Sequence, residues 1–208
     1  IMKNHLPEWS QQHPGLTLKI DGDMSDEQEF MQSAMRNFVL AMLAIYAMMA
    51  VAFKSYSQPL LVLTAVPFGF MGAIIGHLIM GREVSMMSML GFFACAGVVV
   101  NDNLVLLDRI NQLRKNGLSA HQAALQAGRD RFRAIVLTSI TTFIGLVPIM
   151  AETSIQALFL IPMVISLSFG VLFATTVTLI LVPALYIASC GIAEYFARPE
   201  EPEPHPSG

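Results

Sequence analysis

Charged side chains divide this sequence into long apolar runs, and each run long enough to cross a hydrocarbon core of about 30 Å needs about 20 mostly apolar residues. Residues 37–53 carry no charge between Arg36 and Lys54, and the turn before them extends the first predicted helix to 31–53. The second, 57–80, lies between Lys54 and Arg82, with Pro59 and Pro67 near its start and Gly69, Gly72 and Gly76 spaced to let another helix approach closely. A third, 86–107, contains Asp102 in its body, and a fourth, 134–151, runs from Arg133 to Glu152. Residues 153–193 hold no charge at all, more than one crossing needs. The fifth helix is placed at 160–188, with Pro162 in its first turn and Pro183 near its end, and the surplus before it is expected to be re-entrant or interfacial.

Between the third and fourth helices, residues 109–133 form a basic loop. Ser119 and Gln122 make a capping-box pattern that opens a short helix over 120–126, closed by Gly128. At the other end of the chain, residues 1–12 have helical spacing, 16–20 alternate as a strand and Asp21-Gly22-Asp23 reads as a turn. These elements cannot make a core alone, so residues 1–30 are read as the end of a larger extracytoplasmic domain. The acidic stretch 24–30 suits the start of the first transmembrane helix. The Pro- and Glu-rich residues 194–208 are expected to be a disordered tail. The predicted fold class is an all-α transmembrane bundle of five helices with a short α/β remnant.

Composition agrees with a membrane reading. Of 208 residues 54% are apolar and only 13% charged, against about 25% charged in soluble domains. The formal net charge of −3 hides an asymmetry, because Arg109, Arg114, Lys115, Arg129, Arg131 and Arg133 are six of the twelve basic residues. Short loops rich in Lys and Arg stay in the cytoplasm, which puts 109–133 and the C-terminus inside and residues 1–30 outside. The same topology explains the basic cluster without nucleic acid. Cys95 and Cys190 lie 95 residues apart in apolar runs and read as small buried hydrophobes, with neither a disulfide framework nor a metal spacing. The chain opens at Ile1 with no signal peptide, and is read as a piece of something longer.

Candidate chemistry is confined to a few polar side chains within the spans. A carboxylate at the bilayer centre costs at least about 2.5–3.5 kcal/mol, so Asp102 needs a partner or a task. It is flanked by Asn101 and Asn103, and the expectation is that Asn101 and Asp102 address the bundle interior together. Thr138, Ser139, Thr141 and Thr142 present hydroxyls on the next helix at a similar depth, and Thr138 with Asp102 is the candidate proton-handling network. For Thr141 and Thr142 an interhelical contact is the simpler role. His77, alone in the second helix, reads as packing or an interface anchor. The methionines, Met86, Met87 and Met89 among them, read as adaptable packing. No HExxH, GxSxG, Walker or paired intramembrane aspartate pattern occurs, so neither an enzyme nor a cofactor or metal site is expected.

Several segments together resemble the resistance-nodulation-division efflux permeases, over nearly the whole chain. They are FKSYSQPL at 53–60, PFGFMG at 67–72, GVVVNDNLVL at 97–106, RFRAIVLTS at 131–139 and PALY at 183–186. The resemblance implies helices eight to twelve of a twelve-helix inner-membrane permease, with residues 1–30 ending a periplasmic porter region. It further implies a homotrimer driven by the proton gradient, exporting drugs or other amphipathic small molecules with a periplasmic adaptor and an outer-membrane channel. Multidrug members of this family carry two aspartates on helix four, a lysine followed by asparagine on helix ten, and a threonine and an arginine on helix eleven. Thr138 and Arg131 match the last two. Asn101 stands where the lysine would be and Asp102 follows it, so the resemblance implies a relay of Asn101, Asp102, Thr138 and Arg131 with carboxylates of the absent first half. Two alternatives stand beside it. One is a relative exporting metal ions, lipids or polypeptides, the metal case being disfavoured by the lack of further intramembrane carboxylates. The other is a truncated, non-transporting membrane assembly protein.

Overall fold

The computed structural model describes residues 23–196, with side chains from 27 to 192. The described chain is helical: α1 (Asp23–Phe53), α2 (Ser57–Leu63), α3 (Val66–Met80), α4 (Met86–Lys115), α5 (Ala120–Met150) and α6 (Ile155–Phe196). Among the described residues there is no strand. The helix and strand expected over 1–12 and 16–20 lie outside the described residues, as does the tail beyond 196. By length and composition, five segments can cross a membrane: α1, α2 with α3, α4, α5 and α6. The protein is therefore a multi-pass membrane protein. The chain divides after Ala41, within α1, into two compact units, and Asn101, Asp102, Arg131 and Thr138 all belong to the unit that begins at Met42.

Helix ends obey local rules. α1 stops where Lys54 takes a left-handed φ of 51°, with Ser55 N–H bonded to Ala50 O and Lys54 N–H to Val51 O. That is the six-to-one and five-to-two pair of a Schellman cap, a place glycine usually fills. Lys54→Gly should raise the thermal stability of the protein in detergent by about 1 kcal/mol, the scale of the left-handed penalty for a residue with a Cβ. At the far end of α4 the same motif is made with glycine: Gly117 has φ 92°, and Leu118 N–H reaches Leu113 O.

Four expectations are corrected. The second span is two helices, because Pro67 has no N–H to give Leu63 O, and the chain turns through Thr64 and Ala65 before α3 resumes. Thr64 Oγ1 donates back to Leu61 O at 2.7 Å at the end of α2. The short loop helix does not close at Gly128. Ser119 and Gln122 do form the capping box, but Gly128 stays helical and α5 continues unbroken into the membrane, so the 109–133 loop shrinks to residues 116–119. The uncharged run before residue 160 is not re-entrant. Residues 155–159 open α6, whose 42 residues at about 1.5 Å each exceed the hydrocarbon thickness. Residues 194–196, assigned to a disordered tail, belong to α6 as well.

Glycine sets how closely the helices approach. A Cβ on Gly72 would lie 2.5 Å from Phe173 Cβ, and one on Gly76 2.5 Å from Phe169 Cβ, so α3 rests on α6 almost backbone to backbone. Gly91 of α4 meets the Met163 carbonyl of α6 in the same way. Cys95 fills the space between Gly69 and Gly170, as a buried free thiol. Toward the loop end, Leu106, Leu107 and Ile110 of α4, Ala123, Ala124 and Ala127 of α5, and Val182 of α6 form a closed apolar core.

A polar face on helices four and five

Asp102 and its neighbours are positioned by the antiparallel pairing of α4 and α5. Arg109 donates from Nε and Nη2 to Asp130 Oδ2 at 2.8 and 2.6 Å. Seven residues inward from this pair lie Asp102 on α4 and Leu137 on α5, about 10 Å deeper at 1.5 Å per residue. Asp102 and Thr138 therefore share a level to within one residue, in agreement with the depth expected from the sequence.

Orientation departs from expectation. Asn101 is exposed, Asp102 half-buried and Asn103 buried. A step of 100° per residue sends Asn101 and Asn103 to nearly opposite sides of α4 with Asp102 between them. Asn103, rather than Asn101, thus turns into this bundle, where its Nδ2 donates to Val99 O at 2.9 Å. Asp102 Oδ2 is buried with no hydrogen-bond partner among the described residues, and so is Arg131 Nε. Thr138 is exposed and its hydroxyl donates to Ala134 O at 2.9 Å, leaving only acceptor capacity toward a neighbour. No hydrogen bond joins Asp102 directly to Thr138 among the described residues.

These residues share an open surface instead. On α4, Ala94, Gly97 and Asn101 are exposed at spacings of three and four. On α5, Ala134, Thr138, Thr141 and Gly145 form a matching exposed row, with Arg131 two turns before Thr138. A Cβ on Gly97 or Gly145 would meet nothing within 4 Å. Small and polar residues in a row are the chemistry of helix–helix contact in membranes.

Other polar groups act inside the bundle, and of these Thr175, Gln58, Asn111 and Tyr186 were not singled out from the sequence. Ser139 and Thr175 hydroxyls lie 2.7 Å apart between α5 and α6. Thr141, by contrast, bonds its own helix at Leu137 O rather than crossing to another. His77 is buried, with Nε2 3.1 Å from Ser166 Oγ and Nδ1 3.2 Å from Arg82 O, so it pins the end of α3 to α6 as packing. Gln58 and Asn111 exchange both amide hydrogen bonds, at 2.8 and 3.2 Å, and Tyr186 Oη donates to Asn111 Oδ1 at 3.4 Å. Gln58 and Tyr186 belong to the FKSYSQPL and PALY segments, which gives both strings a shared structural task. Asn111→Leu should cost about 1–2 kcal/mol by leaving that amide and hydroxyl unpaired, and Gln58→Leu in the same chain should recover part of it, read by thermal unfolding. Outside the spans, Glu152 accepts from the Thr153 and Ser154 amides at 3.0 and 3.1 Å. The Ser154 amide first, then that of Thr153, holds its carboxyl below the usual glutamate range. Among the described residues no cluster of His, Cys, Asp and Glu could hold a metal ion.

The model of the AcrB/AcrD/AcrF family matches residues 4–189. Two crystal structures of a heavy metal efflux pump share the fold. Crystal form II superposes with a TM-score of 0.71 at 24% identity over 80% of this chain, and crystal form I with 0.61 at 25% over 78%. The chain spans 16% of the length of each of those pump chains. With a family match across nearly all of its length and the same helical architecture, the chain belongs to the AcrB/AcrD/AcrF family, the resistance-nodulation-division permeases.

Proposed function

We propose that this chain is the second half of the membrane domain of a proton-driven exporter, in which Asp102 takes up and releases the coupling proton. The observation that carries the reading is a single carboxyl in the apolar part of the described spans, with one buried oxygen unpaired, beside an open row of small and polar residues. Asn101, Thr138 and Arg131 lie on or next to that row, where helices of the first half of the permease pack and bring further carboxylates. Protonation of Asp102 then changes the hydrogen bonding across this seam, and the helix shift is passed to the periplasmic porter region. The working assembly is a homotrimer in the bacterial inner membrane, with residues 1–30 periplasmic, the basic residues flanking the α4–α5 turn and the C-terminus cytoplasmic, and an adaptor and outer-membrane channel as partners.

Drugs or other amphipathic small molecules are the proposed cargo. A heavy metal ion is the second reading, favoured by the likeness at 25% identity to a heavy metal efflux pump. The full-length permease in proteoliposomes tests both. Proton release from the lumen on adding an amphipathic dye supports the first reading, the same response to a soft metal ion supports the second, and no substrate-dependent proton flux with either class overturns proton-coupled export.

A further inference from the structure

We infer that the loop end of α5 and α6 is a binding site for one anionic phospholipid. A groove of about 450 Å³ runs between the two helices, walled by apolar side chains including Phe132, Leu179, Ile180 and Pro183, with Arg129 at its mouth. Beyond Arg129 and Leu125 it continues into a second hollow of about 380 Å³ lined by Gln122 and Gln126. The first compartment is oily and the second is mixed, with Gln122 and Gln126 beside Leu118 and Leu125, and a guanidinium stands at the join. That is the sequence of an acyl chain, a phosphate and a polar headgroup.

Charge and position select this occupant. Asp130, next to Arg129, is committed to Arg109. Among the described residues Arg129 has no ion pair, and Arg133 one turn on has none either. The site lies at the end of the apolar part of α5, where lipid phosphates sit, and basic pockets between transmembrane helices at that depth bind anionic headgroups. Its walls also differ from the face that receives other helices. Phe132 is 56% exposed, Ile180 76% and Leu125 51%, large side chains of the kind that meet acyl chains. The row of Ala134, Thr138, Thr141 and Gly145 lies roughly 180–240° around α5 from Phe132, by 100° per residue. α5 therefore turns its small, polar side toward protein and its large, apolar, cationic side toward lipid. The inference rests on membrane insertion alone and stands whether or not Asp102 couples to transport.

The test uses the full-length permease in nanodiscs containing phosphatidylcholine and phosphatidylglycerol, released into native mass spectrometry. Wild type should retain phosphatidylglycerol in preference to phosphatidylcholine. Arg129→Gln should lower that retention about fivefold, the factor equivalent to the roughly 1 kcal/mol that one interfacial arginine contributes. Ala184→Trp should also lower it, by filling the groove from an exposed position while keeping every cation. Arg82→Gln, at the opposite membrane face, should leave it unchanged. Both groove substitutions are at exposed positions, and a melting curve matching wild type confirms their fold. Equal retention by wild type and Arg129→Gln overturns the proposal. So does a photoreactive group at Ile180 that captures a segment of the permease in place of lipid.

Discussion

In the full-length permease, Asp102→Asn should abolish substrate-driven proton flux and export, both falling to the level of empty vesicles, while the protein melts no lower than wild type. The two readouts must move in opposite senses for a physical reason. Asparagine keeps the shape of the side chain and cannot ionise, so it removes the proton site and little else. The carboxyl oxygen at Oδ2 has no partner among the described residues, so no bond within this bundle is lost. Meanwhile a charge that costs at least about 2.5–3.5 kcal/mol to hold in the bilayer is gone. A residue kept only for structure would show the reverse, with lower stability and surviving transport. Thr138→Ala should have the smaller effect, a partial loss of flux, because its hydroxyl already donates to Ala134 O and offers a neighbour only lone pairs. Transport that survives Asp102→Asn at wild-type rate would remove the relay, and no rearrangement of the other three residues would rescue it.

What can be read from the sequence divides along physical lines. Long apolar runs between charges determine the number of crossings, because the cost of burying a charge in lipid is large and local. All five runs reappear as helices. The glycines of α3 are legible as a contact surface for a related reason: only a missing side chain allows backbones to meet. Helix continuity is not legible. Gly128 could as well cap a helix as sit inside one, and the outcome depends on tertiary packing of Ala123, Ala124 and Ala127 around it. The site is half legible. Depth comes from counting residues inward from the basic loop, so Asp102 and Thr138 share one level by sequence and by structure alike. Rotation about the helix axis does not come from counting, and a run of three polar residues, Asn101 to Asn103, gives no apolar stripe to set it. Nothing in the sequence therefore favours Asn103 over Asn101 as the residue that turns inward. The paired amides of Gln58 and Asn111, 53 residues apart, leave no signal that periodicity could detect.

Glycine substitutions on two sides of α4 should separate the packed face from the coupling face. Gly91→Ala should destabilise the permease by about 3 kcal/mol, near the upper end for an overfilled site. Its Cβ would collide with the Met163 carbonyl, which is helix backbone and has no rotamer to adopt. The helices must separate, and the contacts of Cys95, Val99, Val171 and Ala174 further along the same seam loosen with them. Gly97 is the informative contrast. Within this chain its Cβ would enter open space, so alanine by itself gains up to about 1 kcal/mol of helix propensity. If the first half of the permease packs against the row of Ala94, Gly97 and Asn101, that gain is overturned and Gly97→Ala lowers the melting temperature of the full-length protein. If the row instead faces lipid, Gly97→Ala raises it. A rise would place Asn101 and the open side of Asp102 against acyl chains, where no carboxylate from another helix can share a proton. The proton-handling seam would then be wrong even though the fold was right.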